Sequence, residues 1–205
     1  MEQLDESLSR PAGVPLLAEA AVLPTLATER LTIRWLTAAD VPALFAIFGD
    51  ADVCRYWSHP PLADLAAASR LLAEIHAYFA ARTLFQWGIA RRDGGGVIGT
   101  CTLASIDAAH RRAELGFALR RDCWGRGYIA EALPALLAFA FETLGLHRLE
   151  ADVDPRNEAS VRVVERLGFR REGLLRERYH VLGDVQDSLI YGLLRREWAA
   201  RGAKA

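Results

Sequence analysis

The chain has 205 residues, 52% hydrophobic and 25% charged, with a formal net charge of −1. That length carries one domain with a sizeable core, or at most two small ones. The near-neutral balance gives no general electrostatic basis for binding nucleic acid or an anionic membrane.

Residues 1–26 read as an extension, partly disordered or laid along the surface. The first residues are acidic, no positive segment precedes the apolar run, and Pro15, Glu19 and Pro24 interrupt it, unlike a signal peptide. No stretch approaches about 18 uninterrupted apolar residues, so no membrane span is expected. A single domain is expected over 27–198, with a tail at 199–205. Three cysteines, Cys54, Cys101 and Cys123, and five histidines make neither a CxxC nor an HxxxH pair. Neither a metal site nor a disulfide framework is expected, and buried thiols fit a reducing cytoplasm.

The domain opens with an alternating strand near 29–36. Thr37 with Asp40 resembles a capping box and predicts a helix through about Phe48. Asp52 to Pro61, with Tyr56, Trp57 and two prolines, reads as loop. Asp64 is placed to cap an alanine-rich helix reaching about Ala81. The runs TLFQWGIARR and GVIGTCTLASI flank an Asp-Gly-Gly-Gly turn and predict a hairpin, which RAELGFAL extends as a third antiparallel strand.

The stretch CWGRGYIAEAL follows and runs into a helix to about Leu144, ended by Gly145, with Pro134 expected to kink it or loosen a turn. Next come a strand, HRLEADV, and a helix that Asn157 can cap and Gly168 ends. Two last strands near 170–181 and 186–195 form a hairpin around Gly183-Asp184. Together these predict one mixed α/β domain.

The glycine element is the chemically suggestive one. A strand, a glycine turn and a helix start together suit a phosphate, because the first-turn amides have no intrahelical acceptor and the dipole favours an anion there. The alternative is a tight turn and nothing more. There is no GxxxxGK[ST] run, and position 130 is Ala130 where a GxGxxG run would need glycine.

The sequence here resembles the GNAT N-acetyltransferases, and within them the RimJ/RimL type. Family members carry Q/R-x-x-G-x-G/A around the pyrophosphate of acetyl-CoA. Trp124 takes the first place, Gly127 the fourth and Ile129 the sixth, the last a departure that could crowd the phosphates. WGxGY is typical of the RimJ/RimL branch. The blocks TERLTIRWLTAAD, FQWGIA, RAELGFAL, NEASVRVVERLGF and REGLLRERY follow the branch pattern in order. The implied fold is a GNAT-like α/β (α+β) one, with a mixed, largely antiparallel sheet of about seven strands flanked by about four helices.

The resemblance also implies acetyl transfer from acetyl-CoA to a primary amine, by direct attack in a ternary complex without an acyl-enzyme. Trp124, Gly125, Arg126, Gly127, Tyr128 and Ile129 would wrap the diphosphate. Phe117 and Leu119 would meet the pantetheine arm on a strand that splays from the next, or serve only as core. An amide there could stabilise the developing oxyanion, an effect of ~3 kcal/mol per donor. Asn157 would reach the same arm, or act only as the helix cap.

Many members carry a tyrosine seven residues after this asparagine, where this chain has Val164. Ser160, three residues after it, is the RimL-type replacement that would donate to the leaving sulfur, or else a first-turn residue satisfying local amides. Glu114 is the candidate base; Glu177 and Tyr179 lie where RimL-type enzymes carry a carboxylate, and a water chain is the further option. Early helices, the Tyr56-Trp57-Ser58-His59 loop and the last hairpin would build the acceptor pocket. The acceptor is a protein N-terminal α-amine or a small-molecule amine. An exposed sheet edge and the apolar extension are compatible with a homodimer. A non-catalytic acyl-CoA sensor, or a transferase of another acyl group such as succinyl, are the alternatives.

Overall fold

The computed structural model describes residues 17 and 19–202. In chain order the elements are β1 (Leu26–Ala27), β2 (Leu31–Arg34), α1 (Val41–Phe48), α2 (Ala51–Cys54), α3 (Leu65–Ala80), β3 (Phe85–Arg91), β4 (Gly96–Asp107), β5 (Arg112–Leu119), α4 (Tyr128–Ala138), β6 (Arg148–Val153), α5 (Glu158–Leu167), β7 (Arg170–Val181), β8 (Asp184–Leu194) and α6 (Arg195–Gly202). The strands make one 8-stranded sheet in the order β1-β2-β3-β4-β5-β6-β8-β7. Its pairs are antiparallel except β5 with β6, which is parallel.

Alternation along the strands builds two cores. On β3, Phe85, Trp87 and Ile89 join a cluster with Leu31, Ile33, Leu133, Leu136 and Leu149, while Ala90 joins Leu36, Leu44, Ile47, Leu72 and Ile75 from α1 and α3. The first cluster is where α4 packs, and removing one of its buried leucines costs about 2–5 kcal/mol. Asp64 caps α3 as expected, its Oδ1 accepting the Ala67 amide at 2.6 Å. Asp40 accepts the Thr37 amide at 2.8 Å, but the first turn it closes is 3₁₀ and the α-helical turns start at Val41.

Three differences from the sequence reading have local causes. α2 lies in the segment read as loop; Asp50 caps it by accepting the Asp52 amide at 2.9 Å, and four residues are too few to show a helical period. α6 follows β8 as a polar helix in which Trp198 packs on the core, stacked on Phe141. Pro134 does not break α4, which continues to Ala138; the wider turn comes later, as a π-helical segment over Phe139–Thr143.

The described part of the N-terminal extension is packed down. Leu17 and Leu23 are buried, and Trp87 Nε1 donates to the Pro24 carbonyl at 2.9 Å. Expectations for residues 1–16 and 18, and for the tail at 203–205, fall outside the described residues. Among the described residues no helix is long and apolar enough to cross a membrane, and no group of His, Cys, Asp or Glu is placed to hold a metal ion.

Candidate active site

The parallel pairing of β5 with β6 is short. It joins Arg112 to Arg148, Ala113 to Leu149 and Glu114 to Glu150. Past that point β6 stays paired with β8 through Val153, and β5 stays paired with β4 through Leu119. The two strands therefore separate, as the resemblance implied. A cavity of about 170 Å³ is lined by Glu114–Phe117 from one strand and Ala151–Asp154 from the other. Unpaired strand edges offer main-chain donors and acceptors to an extended ligand that carries amides.

Asn157 and Ser160 at the start of α5 line the same cavity, as do Tyr56, Trp57 and Ser58 before α3, and Tyr179, Gln186, Asp187 and Ser188 from the last hairpin. Asn157 is the helix cap: its Oδ1 accepts the Ser160 amide at 3.1 Å. Capping and lining are both filled by this one residue. No cysteine lines the cavity, and all three are buried, with burial pushing the Cys54 thiol up to about 11 and the Cys101 thiol higher.

The glycine loop joins β5 to α4. Gly125 has φ +72° and Gly127, the cap of α4, has φ +78°. Both lie in the left-handed region, where a Cβ is costly. A Cβ at Gly125 would meet no described atom within 4 Å, so the space beside the loop is open. Arg30 braces this turn, donating to the Arg126 carbonyl at 3.2 Å, pairing with Glu131 at 2.6 Å and lying over the Tyr128 ring at 4.9 Å. Trp124 Nε1 donates to the Leu119 carbonyl at 2.7 Å and ties the loop back to β5. Tyr128 and Ile129 are buried in the core cluster. The Ile129 side chain is packed in the core cluster, which leaves its amide as the group available to a ligand.

Glu114 lies on the face of β5 opposite Ala113 and Leu115, in register with Glu150. Among the described residues it has no hydrogen bond or ion pair. Its carboxyl is held above the usual range, first by burial, then by the charges of Asp152 and Glu150, with Arg178 opposing. Asp152 is already engaged: Tyr179 donates its hydroxyl to it at 3.1 Å and Arg178 Nε lies 3.1 Å from the same oxygen. Burial, then Asp152, pushes the Tyr179 hydroxyl up.

Glu177 does not enter the cavity. It sits exposed at a bulge of β7 with φ +54°, its amide donating to Asp187 at 2.8 Å. His59 also lies outside, packed near Trp57 and Phe48. Sequence reasoning missed Asp152, Asp187 and two polar residues of β8, Gln186 (3% exposed) and Ser188 (1% exposed). For Asp152 a signal existed: the alternation of buried Leu149, Ala151 and Val153 puts Glu150 and Asp152 on the Glu114 face.

The family model for the acetyltransferase (GNAT) domain matches residues 30–170. The uncharacterized N-acetyltransferase p20 of Bacillus licheniformis is 34% identical over 177 residues, covering 86% of this chain and 99% of that protein. The spermidine N(1)-acetyltransferase of Escherichia coli is 25% identical over 169 residues, covering 82% and 88%. A crystal structure of a probable acetyltransferase of the GNAT family from Chromobacterium violaceum superposes with a TM-score of 0.78 at 25% identity, covering 97% of this chain and 98% of that one. With separated strands, a glycine turn at a helix start and a family match over most of its length, the chain belongs to the GNAT N-acetyltransferases, which are acyltransferases.

Proposed function

We propose that the chain transfers an acetyl group from acetyl-CoA to a cationic primary amine by direct attack in a ternary complex, with Glu114 taking the proton. The observation that carries this is Glu114 itself: a half-buried carboxyl with a raised pKa and no hydrogen bond or ion pair among the described residues, in a cavity between separated strands. A carboxylate poised closer to neutrality is the better proton acceptor for an ammonium that must become neutral before it attacks.

The open side of the loop suits a diphosphate, since the first-turn amides of a helix lack intrahelical acceptors and a Cβ at Gly125 would meet no described atom within 4 Å. Trp124, Gly125, Arg126, Gly127, Tyr128 and Ile129 would hold that group, mainly through the main chain. Phe117, Leu119 and Asn157 would hold the pantetheine arm. When bound, acetyl-CoA supplies an activated thioester carbonyl. A main-chain amide of β5 would stabilise charge on the acyl oxygen, and the Ser160 hydroxyl would donate to the sulfur.

The lining favours a cation. Asp152 and Asp154 are paired with Arg178 and Arg156 from outside, Glu114 and Asp187 make no ion pair among the described residues, and no described arginine or lysine lines the cavity. An acceptor with a carboxylate beside its amine would meet repulsion there, whereas an ammonium would not. The similarity to a spermidine acetyltransferase agrees with this. The RimJ/RimL-type blocks favour a second acceptor, a protein N-terminal α-amine. A panel of diamines, monoamines, amino acids and peptides with free N-termini, followed by release of the CoA thiol, separates these. Diamines should give the highest kcat/KM and amino acids the lowest. A preference for amino acids, or no turnover with any amine, would sink the proposal.

A further inference from the structure

The acceptor side of the cavity is assembled from three parts of the chain that are distant in sequence: Tyr56 after α2, Asp154 before α5, and Gln186 on β8. Arg156 does not line the cavity, yet it contacts Tyr56 and Asp154 directly and reaches the hairpin through Asp184. Its Nε donates to Asp154 Oδ1 at 3.0 Å and its Nη2 to Asp154 Oδ2 at 2.7 Å, while its own amide donates to the same carboxylate at 2.8 Å. Its Nη1 and Nη2 also donate to Asp184, at 3.3 and 2.9 Å, at the tip of the β7–β8 hairpin. Asp184 in turn accepts from Gln186 Nε2 at 3.4 Å. The guanidinium carbon lies 5.7 Å from the centroid of the Tyr56 ring, within cation–π range.

From these contacts we infer that Arg156 is the positioning residue of the acceptor pocket, a tie that fixes the Tyr56 loop, the Asp154 carboxylate and the hairpin tip relative to one another. The inference rests on the reading of this cavity as the acceptor site. Two physical points support it. The Asp154 side chain is only 3% exposed, so it needs a charged partner where it sits, and Arg156 is that partner. The planar guanidinium serves two carboxylates through its edges and an aromatic ring through its face, which an ammonium cannot do. By neutralising Asp154, Arg156 also removes one competing anion beside Glu114, which helps direct the incoming ammonium to the residue that must deprotonate it.

The test combines kinetics with an exchange measurement that needs no turnover. In Arg156→Gln the KM for the amine should rise about tenfold, with kcat within about threefold and the Kd for acetyl-CoA within about twofold, because only one wall set has loosened. Arg156→Lys keeps the charge but engages one carboxylate at a time, and should fall between wild type and Arg156→Gln. Asp184→Asn removes the hairpin arm alone and should also raise the amine KM. Hydrogen exchange on the ligand-free protein should be faster in Arg156→Gln at both 55–58 and 181–187, with the rest of the sheet unchanged.

An amine KM within twofold of wild type overturns the inference. So does a parallel loss of acetyl-CoA affinity, or full recovery by lysine. If wild-type protein turned over no amine, the acceptor-site reading would fail on its own. The exchange data would then decide the tie, with unchanged exchange at either segment refuting it.

Discussion

Replacing Glu114 with glutamine should make the protein more stable and less active at once. The carboxyl sits on the sheet face it shares with Glu150 and Asp152, and burial and those two charges raise its pKa against the opposing pull of Arg178. A carboxyl whose folded pKa exceeds its unfolded value of about 4.3 binds more protons in the folded state between the two values. Stability therefore falls as pH rises through that window, and the penalty is complete above the folded pKa. Glutamine has the same shape without the charge, so Glu114→Gln should gain about 1 kcal/mol at pH 7, within the range typical of relieving such a strain. For a chain of this length that is a Tm rise of about 2–4 °C. At pH 3, where the wild-type carboxyl is protonated in both states, the difference should vanish. Losing the proton acceptor should lower kcat/KM by about 10²–10⁴. The acidic limb of the wild-type kcat/KM profile should lie above the ordinary carboxylate range and be absent from the variant. Calorimetric melts at both pH values and a pH–rate profile check these points. A variant less stable than wild type at pH 7, or one keeping kcat/KM within tenfold, would refute the reasoning.

Gly125→Ala meets no steric clash among the described residues, so its stability cost is the left-handed penalty of about 1–2 kcal/mol. Its acetyl-CoA affinity should fall by about tenfold or more, because the new methyl occupies the open space; melts and titration calorimetry compare the two. Ser160→Ala should lower kcat by about tenfold while leaving the acetyl-CoA Kd unchanged, as rapid kinetics and calorimetry would show. Asp40 is buried against Arg34 at 2.7 and 2.8 Å; burial pushes its carboxyl up, but the Arg34 and Thr37 hydrogen bonds outweigh that and hold it below the usual range. Its stabilisation is complete above about pH 4 and is lost as pH falls through the depressed folded value. Asp40→Asn should cost about 1–3 kcal/mol at pH 7 by denaturant unfolding, since Arg34 is about a third exposed and can be solvated, and the acid limb of stability should flatten in the variant.

Much of this was legible because local chemistry and tertiary structure agree. Asp64, Asn157 and the Asp-Gly-Gly-Gly turn do what their residue types favour, and the backbone at Gly125 and Gly127 needs the freedom that glycine gives. The short helix α2 and the polar α6 were not legible, because neither carries an apolar period long enough to register. The cavity carboxylates Asp152 and Asp187 depend on which strands become neighbours, and β6 pairs with β8 across 30 or more intervening residues. Ile129 is the reverse case: a motif position draws attention to its side chain, while the fold packs that side chain into the core.

The central claim is that the glycine turn and the separated strands together form one acyl-CoA site, and titration calorimetry of acetyl-CoA beside acetyl-pantetheine, which lacks the diphosphate and adenosine, tests it most directly. One acetyl-CoA should bind per chain, with acetyl-pantetheine weaker by about a hundredfold, as expected when a charge-assisted phosphate site is left unused. Equal affinity for the two, or no acetyl-CoA binding, would contradict it.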